Sequence, residues 1–278
     1  MTILCKDRLL DLSRPVIMGI LNLTPDSFFD GGRYKDDDSI LQQTEKMLQE
    51  GATILDIGGA SSRPGAEEVS ETEELNRVMP AIEAILRLFP ETILSVDTWR
   101  AKVAREAIAT GAHIVNDISG GRLDPDMFTT AGEMQAPYVL MHMQGTPQTM
   151  QQNPHYDDVV TEVLDYFIHQ TALLRAAGVK DIILDPGFGF GKTVEHNYTL
   201  LKNLKVFENV LELPVLAGIS RKSMICKPLG IRPEQALNGT TALHMVALQQ
   251  GARILRVHDV REAWEVIRLW QELQNCNN

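Results

Sequence analysis

One pattern restricts this chain more than any other. A helical stretch ends in a small residue and glycine, a short apolar run follows, and the run ends in polar residues. It recurs at Gln49–Gly59 (QEGATILDIGG), Ala109–Gly121 (ATGAHIVNDISGG) and Gln249–Val260 (QQGARILRVHDV), with a looser copy at Ala176–Gly187. Glycine just past a helix is the expected stop, because it enters the left-handed region without a Cβ clash. An apolar run bounded by turns is the expected buried parallel strand. Eight such runs occur: Val16–Leu21, Thr53–Ile57, Ile93–Val96, His113–Asn116, Pro137–Met141, Ile182–Asp185, Val215–Gly218 and Arg253–Val257. Helical patterns follow them at Ser39–Glu50, Thr72–Phe89, Arg100–Thr110, Pro125–Gly132, Asp157–Ala177, Val194–Val210, Pro233–Gln250 and Val260–Gln274. Eight alternating strands and helices in about 250 residues point to an α/β chain folded as a (β/α)8 TIM barrel. A doubly wound open sheet shares the alternation, which by itself does not show closure. With no Pro/Gly/Ser-rich linker or low-complexity stretch, residues 1–278 read as one domain.

Composition narrows the function classes. The chain is 44% hydrophobic and 23% charged, as expected of a globular protein. Its net charge of −11 argues against nucleic-acid and anionic-membrane partners. No apolar run approaches the roughly 20 residues of a membrane span. The N-terminus, MTILCKDRLLDLSRP, lacks the layout of a signal peptide. Cys5, Cys226 and Cys276 are odd in number and widely separated, which suits a reducing cytoplasm better than a disulfide framework.

In such a barrel the active site lies at the C-terminal mouth of the strands. All eight runs lead into polar residues there: Asn22; Asp56; Asp97-Thr98; Asn116-Asp117; His142-Met143-Gln144; Asp185; Ser220-Arg221-Lys222; and Arg256, His258 and Asp259. Taken singly, Asp56, Asn116 and Asp259 read as turn or capping residues, as do Thr98 and Asp117. Convergence shifts the reading for Asn22, Asp97, Asn116, Asp185, Lys222 and Arg256, because buried polarity costs free energy unless it is paired or used. Arg63, Arg221, Lys222, Arg256 and His258 make the mouth a cationic funnel suited to phosphate. For Arg221, a salt bridge to a neighbouring loop acid is an equal alternative. His113, His155, His169, His196 and His244 read as structural or surface residues.

PGFGFGKT (Pro186–Thr193) is not a nucleotide loop, since Pro186 stands where G-x-x-x-x-G-K-[ST] needs glycine. It reads instead as a mobile loop whose Phe188 and Phe190 can lie beside a flat ring. No H-x-H, H-E-x-x-H or paired-cysteine set suggests a tightly held zinc. One Asn plus substrate phosphate oxygens would suit magnesium. Thr24–Asp38 and Gly58–Ser70 are long enough to act as lids.

The segments MGILNLTPDSFFDGG, GGASSRPGA, SVDT, IVNDISGG, MHMQGTPQTMQ, DPGFGFGK, GISRKSMI and RVHDV resemble the dihydropteroate synthase family, in order, from Met18 to Val260. The resemblance implies condensation of a dihydropterin pyrophosphate with 4-aminobenzoate, magnesium as cofactor, and a homodimer. It implies that Asp97, Asn116, Asp185 and Lys222 bind the pterin edge, with Met143 and Phe190 flanking the ring. Asn22, Ser62, Arg63, Arg256 and His258 would hold the pyrophosphate, with magnesium at Asn22. Phe28, Pro64, Phe190, Ser220 and Lys222 would border the 4-aminobenzoate site. Asp97, Lys222 and Arg63 would be catalytic. The second loop reads ASSRPG where the family has ESTRPG, so Ala60 and Ser62 depart from the pattern, as does Cys226 where Gly is common. A corrinoid-dependent methyltransferase domain and a non-catalytic pterin-binding paralogue share the barrel. The former has no need of SRK or RVHDV, both present here.

Overall fold

The computed structural model describes residues 1–23, 33–60, 69–146 and 148–276, with backbone alone at 33–37. Eight parallel strands close into a barrel in the order β10-β3-β4-β5-β6-β7-β8-β9, which settles the choice between closed and open sheets. They are β3 (Val16–Asn22), β4 (Ile54–Gly58), β5 (Ile93–Asp97), β6 (Ile114–Asp117), β7 (Tyr138–Met141), β8 (Ile182–Asp185), β9 (Val215–Ala217) and β10 (Ala252–Val257). Helices α1 (Arg33–Gln49), α2 (Glu71–Leu88), α3 (Ala101–Thr110), α4 (Met127–Glu133), α5 (Val159–Ala176), α6 (Val194–Lys202), α7 (Lys205–Leu211), α8 (Ser223–Leu229), α9 (Leu237–Gln249) and α10 (Val260–Asn275) alternate with them. The glycine of each repeat takes the positive φ its position requires: 105° at Gly51, 134° at Gly111, 98° at Gly178 and 91° at Gly251.

Local chemistry explains the helix boundaries. Ser70 caps α2 by accepting from Glu73 N, and Asp158 caps α5 by accepting from Val160 N and Thr161 N. The expected helix over 194–210 is in fact two. Asn203 donates its side-chain amide to Thr199 O at 2.8 Å, and this local bond competes with helix continuation. Another difference is α8, a short helix in the connection after β9. It begins after Lys222, contains Pro228 and stops at Gly230 with φ 63°. A 3-10 turn at Pro233–Gln235 precedes α9.

Sequence reading also missed a hairpin before the barrel, β1 (Thr2–Cys5) paired antiparallel with β2 (Arg8–Asp11). Ile3, Cys5, Leu10 and Leu12 are buried against Met18, Ile54, Ile93, Ile114, Val139, Ile183, Leu216 and Ile254 from the eight barrel strands. The hairpin therefore plugs the N-terminal end of the barrel. Lys6 Nζ donates to Ile108 O at 2.7 Å and Arg8 Nη2 to Pro90 O at 2.6 Å, tying the plug to the last turn of α3 and to the connection after α2. Among the described residues no helix is long and apolar enough to cross a membrane.

Candidate active site

With one end plugged, the polar strand ends converge at the other. Strand register places Gly58 beside Asp97 and Asp97 beside Asn116, so β4, β5 and β6 bring these three residues to one level. Asn22 ends β3 next to Gly58. A Cβ on Gly58 would lie 3.6 Å from Asn22 Oδ1 and 3.7 Å from Asp97 Cβ, so the glycine keeps the space between them open. Met141 of β7 pairs with Asp185 of β8, and Leu184 with Val215 of β9.

The centre of the mouth is a hydrogen-bonded charge network. Arg256 reaches inward from β10, its Nε 2.7 Å from Asp56 Oδ2 and its Nη2 2.6 Å from Asp97 Oδ2. Asn116 Nδ2 donates to the same Asp56 oxygen at 2.8 Å. Burial pushes the Asp97 carboxyl up to about 7, against the opposing pull of Arg256. Asp185 is raised by burial, while Lys222 and the Gly187 N–H bonded to its Oδ1 at 2.8 Å work the other way. Lys222 Nζ donates to Phe188 O at 2.6 Å and lies 4.7 Å from the Phe190 ring centroid, within cation–π range. Burial draws this ammonium down to about 8, with Asp185 resisting. A Cβ on Gly218 would lie 3.7 Å from Lys222 Nζ and 3.8 Å from Asp185 Oδ2, so both groups border one small open space.

Beside these charges is an apolar wall. Met143 packs with Ile118, Met141 and Met150, and Trp99 and Phe190 join the same cluster. Its backbone is held by three donors at consecutive carbonyls. Tyr166 Oη donates to Met141 O at 3.0 Å, Lys192 Nζ to His142 O at 3.2 Å, and Arg122 to Met143 O. Lys192 also donates to Gly187 O and Phe190 O, both at 3.0 Å, and meets His142 Nδ1 at 3.0 Å. This buried ammonium fixes the β7 exit, which carries Met143, relative to the β8 loop, which carries Phe190. At Gly187 (φ 68°) a Cβ would collide with the His142 carbonyl oxygen, so only glycine fits there.

The structure thus brings together Asn22, Asp97, Asn116, Met143, Asp185, Phe190, Lys222 and Arg256. Ser220 and His258 meet nearby, Oγ to Nδ1 at 3.0 Å. Phe28, Ser62, Arg63 and Pro64 lie outside the described residues. Arg221 takes the second of its two readings: it grips Asp259 through Nε at 2.9 Å and Nη2 at 2.5 Å. Asp117 is a turn residue as expected, accepting from Ser119 N, Gly121 N and Tyr138 Oη. Thr98 accepts from Arg100 N in the same kind of role. Sequence reading missed Asp56 as a partner of the site, and Lys192 and His142 as its braces.

A carboxylate–amide–carboxylate floor, an ammonium beside it and a methionine–phenylalanine wall define a site for a flat, donor-rich heterocycle at the mouth of a TIM barrel. Sequence comparison gives that class its name, since the pterin-binding enzyme family matches residues 18–258. The dihydropteroate synthase of Haemophilus influenzae is 48% identical over 278 residues, covering 99% of this chain and 100% of that one. Among solved structures, a Yersinia pestis dihydropteroate synthase in a sulfonamide complex superposes with a TM-score of 0.93 at 46% identity, covering 99% of this chain and 100% of that one. A Xanthomonas albilineans dihydropteroate synthase in complex with 7,8-dihydropteroate superposes at 0.88 with 39% identity, covering 99% of both. The chain belongs to the dihydropteroate synthase family, the transferases that join a dihydropterin diphosphate to 4-aminobenzoate in folate biosynthesis.

Proposed function

We propose that the reaction runs at this mouth as an SN1-like displacement. The observation that carries the reading is the convergence of Asp97 of β5, Asn116 of β6, Asp185 of β8 and Lys222 after β9, beside the Met143–Phe190 wall. The carboxylates and the Asn116 amide accept hydrogen bonds from the guanidine-like pterin edge, and Lys222 donates to it. Met143 and Phe190 hold the ring faces. The C–O bond to the diphosphate breaks, and the cation left on the pterin methylene is stabilised by fixed negative charge, foremost Asp97. The 4-aminobenzoate nitrogen then forms the new C–N bond and sheds its proton to solvent. An arylamine is unprotonated at neutral pH, so its attack needs no strong general base.

Arg256 has five N–H donors, of which Asp56 and Asp97 engage two among the described residues, and the others can meet the leaving diphosphate. Asn22 and His258 border the same region, and Ser62 and Arg63 complete it in this reading. Ser220, Lys222 and Phe190 border the arylamine, a role the family resemblance extends to Phe28 and Pro64. Among the described residues no group of three or more His, Cys, Asp or Glu is placed to hold a metal. The single neutral oxygen of Asn22 fits magnesium that keeps its waters and is shared with substrate phosphates. When bound, magnesium would neutralise charge on the diphosphate.

The buried free thiols of Cys5 and Cys226 suit the cytoplasm. A homodimer belongs to the same reading, as the family resemblance implies. The test is pyrophosphate release by the purified protein given dihydropterin diphosphate, 4-aminobenzoate and magnesium. Amine-dependent release with formation of dihydropteroate is the expected result. Tight pterin binding without product would replace the reading with a binding-only or methyltransferase role.

A further inference from the structure

Asp56 is fully buried within β4, and its hydrogen bonds among the described residues run to side chains of β6 and β10 rather than to a turn or helix start. Its Oδ2 accepts from Asn116 Nδ2 at 2.8 Å and from Arg256 Nε at 2.7 Å, while its Oδ1 has no hydrogen-bond partner among the described residues. A buried carboxylate with one oxygen unmatched is costly, and a well-packed apolar residue would serve stability better. The geometry points to a different use: we propose that Asp56 is a positioning residue that fixes which face of the Asn116 amide the pterin meets.

The reasoning is a matter of donors and acceptors. A carboxylate paired with a guanidinium accepts only, so the amide group that faces Asp56 must be the NH2. The Asn116 carbonyl oxygen is thereby turned away from Asp56, and the amide makes no other side-chain hydrogen bond among the described residues. Its neighbours in the mouth, Asp97 and Asp185, are acceptors as well. The floor then presents a row of acceptors with Lys222 as its donor, complementary to a ligand edge rich in N–H groups. Without Asp56 the amide can rotate by half a turn at little cost. The NH2 would then face the N–H groups of the ligand, a donor against a donor. Through Arg256, the same carboxylate also sets the position of the guanidinium that reaches Asp97.

This inference rests on the reading that Asn116 meets the pterin edge, and the experiment separates the two. The probe is 6-hydroxymethyl-7,8-dihydropterin, which lacks the diphosphate and so does not report on phosphate contacts. Its Kd is measured by fluorescence for the wild type, Asp56→Ala, Asn116→Ala and the double variant, with thermal melts of each. Each single variant is expected to weaken binding about 10-fold or more, as for loss of a hydrogen bond within a charged network. The double variant is expected to bind no more than about threefold worse than Asp56→Ala, because the two residues act as one unit. Asp56→Asn, whose side-chain oxygen can still accept from both partners, is expected to recover most of the affinity. Losses that multiply in the double variant, or wild-type affinity in Asp56→Ala, would overturn the proposal. Wild-type affinity in Asn116→Ala would instead overturn the pterin-edge reading and take the inference with it. Should Asp56→Ala fail to fold, Asp56→Ser takes its place in the cycle and is judged by the same outcomes.

Discussion

Removing Arg256 should damage the fold as well as the chemistry. Read from sequence alone, Arg256 is a phosphate ligand at the barrel mouth. In the structure its side chain is 19% exposed and is the shared partner of Asp56 and Asp97. Arg256→Ala leaves two buried carboxylates facing each other without a cation. Breaking a buried pair in this way costs about 3–5 kcal/mol, because the remaining charge is uncompensated. That is a large part of the roughly 5–15 kcal/mol that holds a typical domain together. With a urea dependence of about 2–3 kcal/mol per molar, the unfolding midpoint should fall by about 1–2.5 M. The defect should also depend on pH in a defined direction. Burial already holds Asp97 near 7, above its unfolded value, and loss of the guanidinium raises it further. Between the unfolded and folded values the native state binds the extra proton, so stability rises as pH falls. The deficit relative to wild type should therefore be larger at pH 8.5 than at pH 6, and Asp97→Asn in the same chain should recover part of it. A deficit below about 1 kcal/mol at pH 8.5 would refute the reasoning, since two unpaired buried carboxylates cannot be that cheap.

Three further outcomes follow from the same geometry. The pH profile of kcat/KM for the pterin substrate should be bell-shaped: Asp97 loses its acceptor charge below about 7, and Lys222 loses its ammonium above about 8. Lys222→Met should abolish the alkaline limb, and a flat profile from pH 6 to 9 would count against both assignments. Lys192→Met removes the ammonium that braces His142, Gly187 and Phe190, so pterin affinity should fall by about 10-fold in fluorescence titration; unchanged affinity would mean that the loop holds its shape without it. Leu10→Ala in the plugging hairpin should cost about 2–5 kcal/mol in denaturant unfolding with kcat retained, because the hairpin closes the end opposite the mouth; a selective loss of kcat would show that the two ends are coupled.

How much of this was legible in the sequence depended on the range of the signal. The barrel strands were readable because glycine stops and apolar runs are local, and the strand ends supplied Asp97, Asn116, Asp185 and Arg256 as mouth residues. The hairpin was overlooked because exposed Leu4 lies between buried Ile3 and Cys5 and exposed Leu9 lies beside buried Leu10, so its half-buried ribbon shows no polar–apolar alternation in the sequence. Asp56 was harder. In ILDIG every residue of β4 is buried, so no polar–apolar alternation reveals which face looks into the barrel. Lys192 was read only as the end of a glycine-rich loop, because its partner His142 is 50 residues away in the chain. Arg221 had two readings until the fold brought Asp259 to it.

The central claim is that the groups at these strand ends hold the pterin. The measurement that tests it most directly is the Kd of dihydropterin diphosphate for Asp185→Ala against wild type, with a thermal melt of each. Loss of a charged hydrogen-bond partner predicts binding weaker by about 10- to 100-fold in a protein that still unfolds cooperatively. Wild-type affinity in that variant would move the pterin away from this floor and contradict the account.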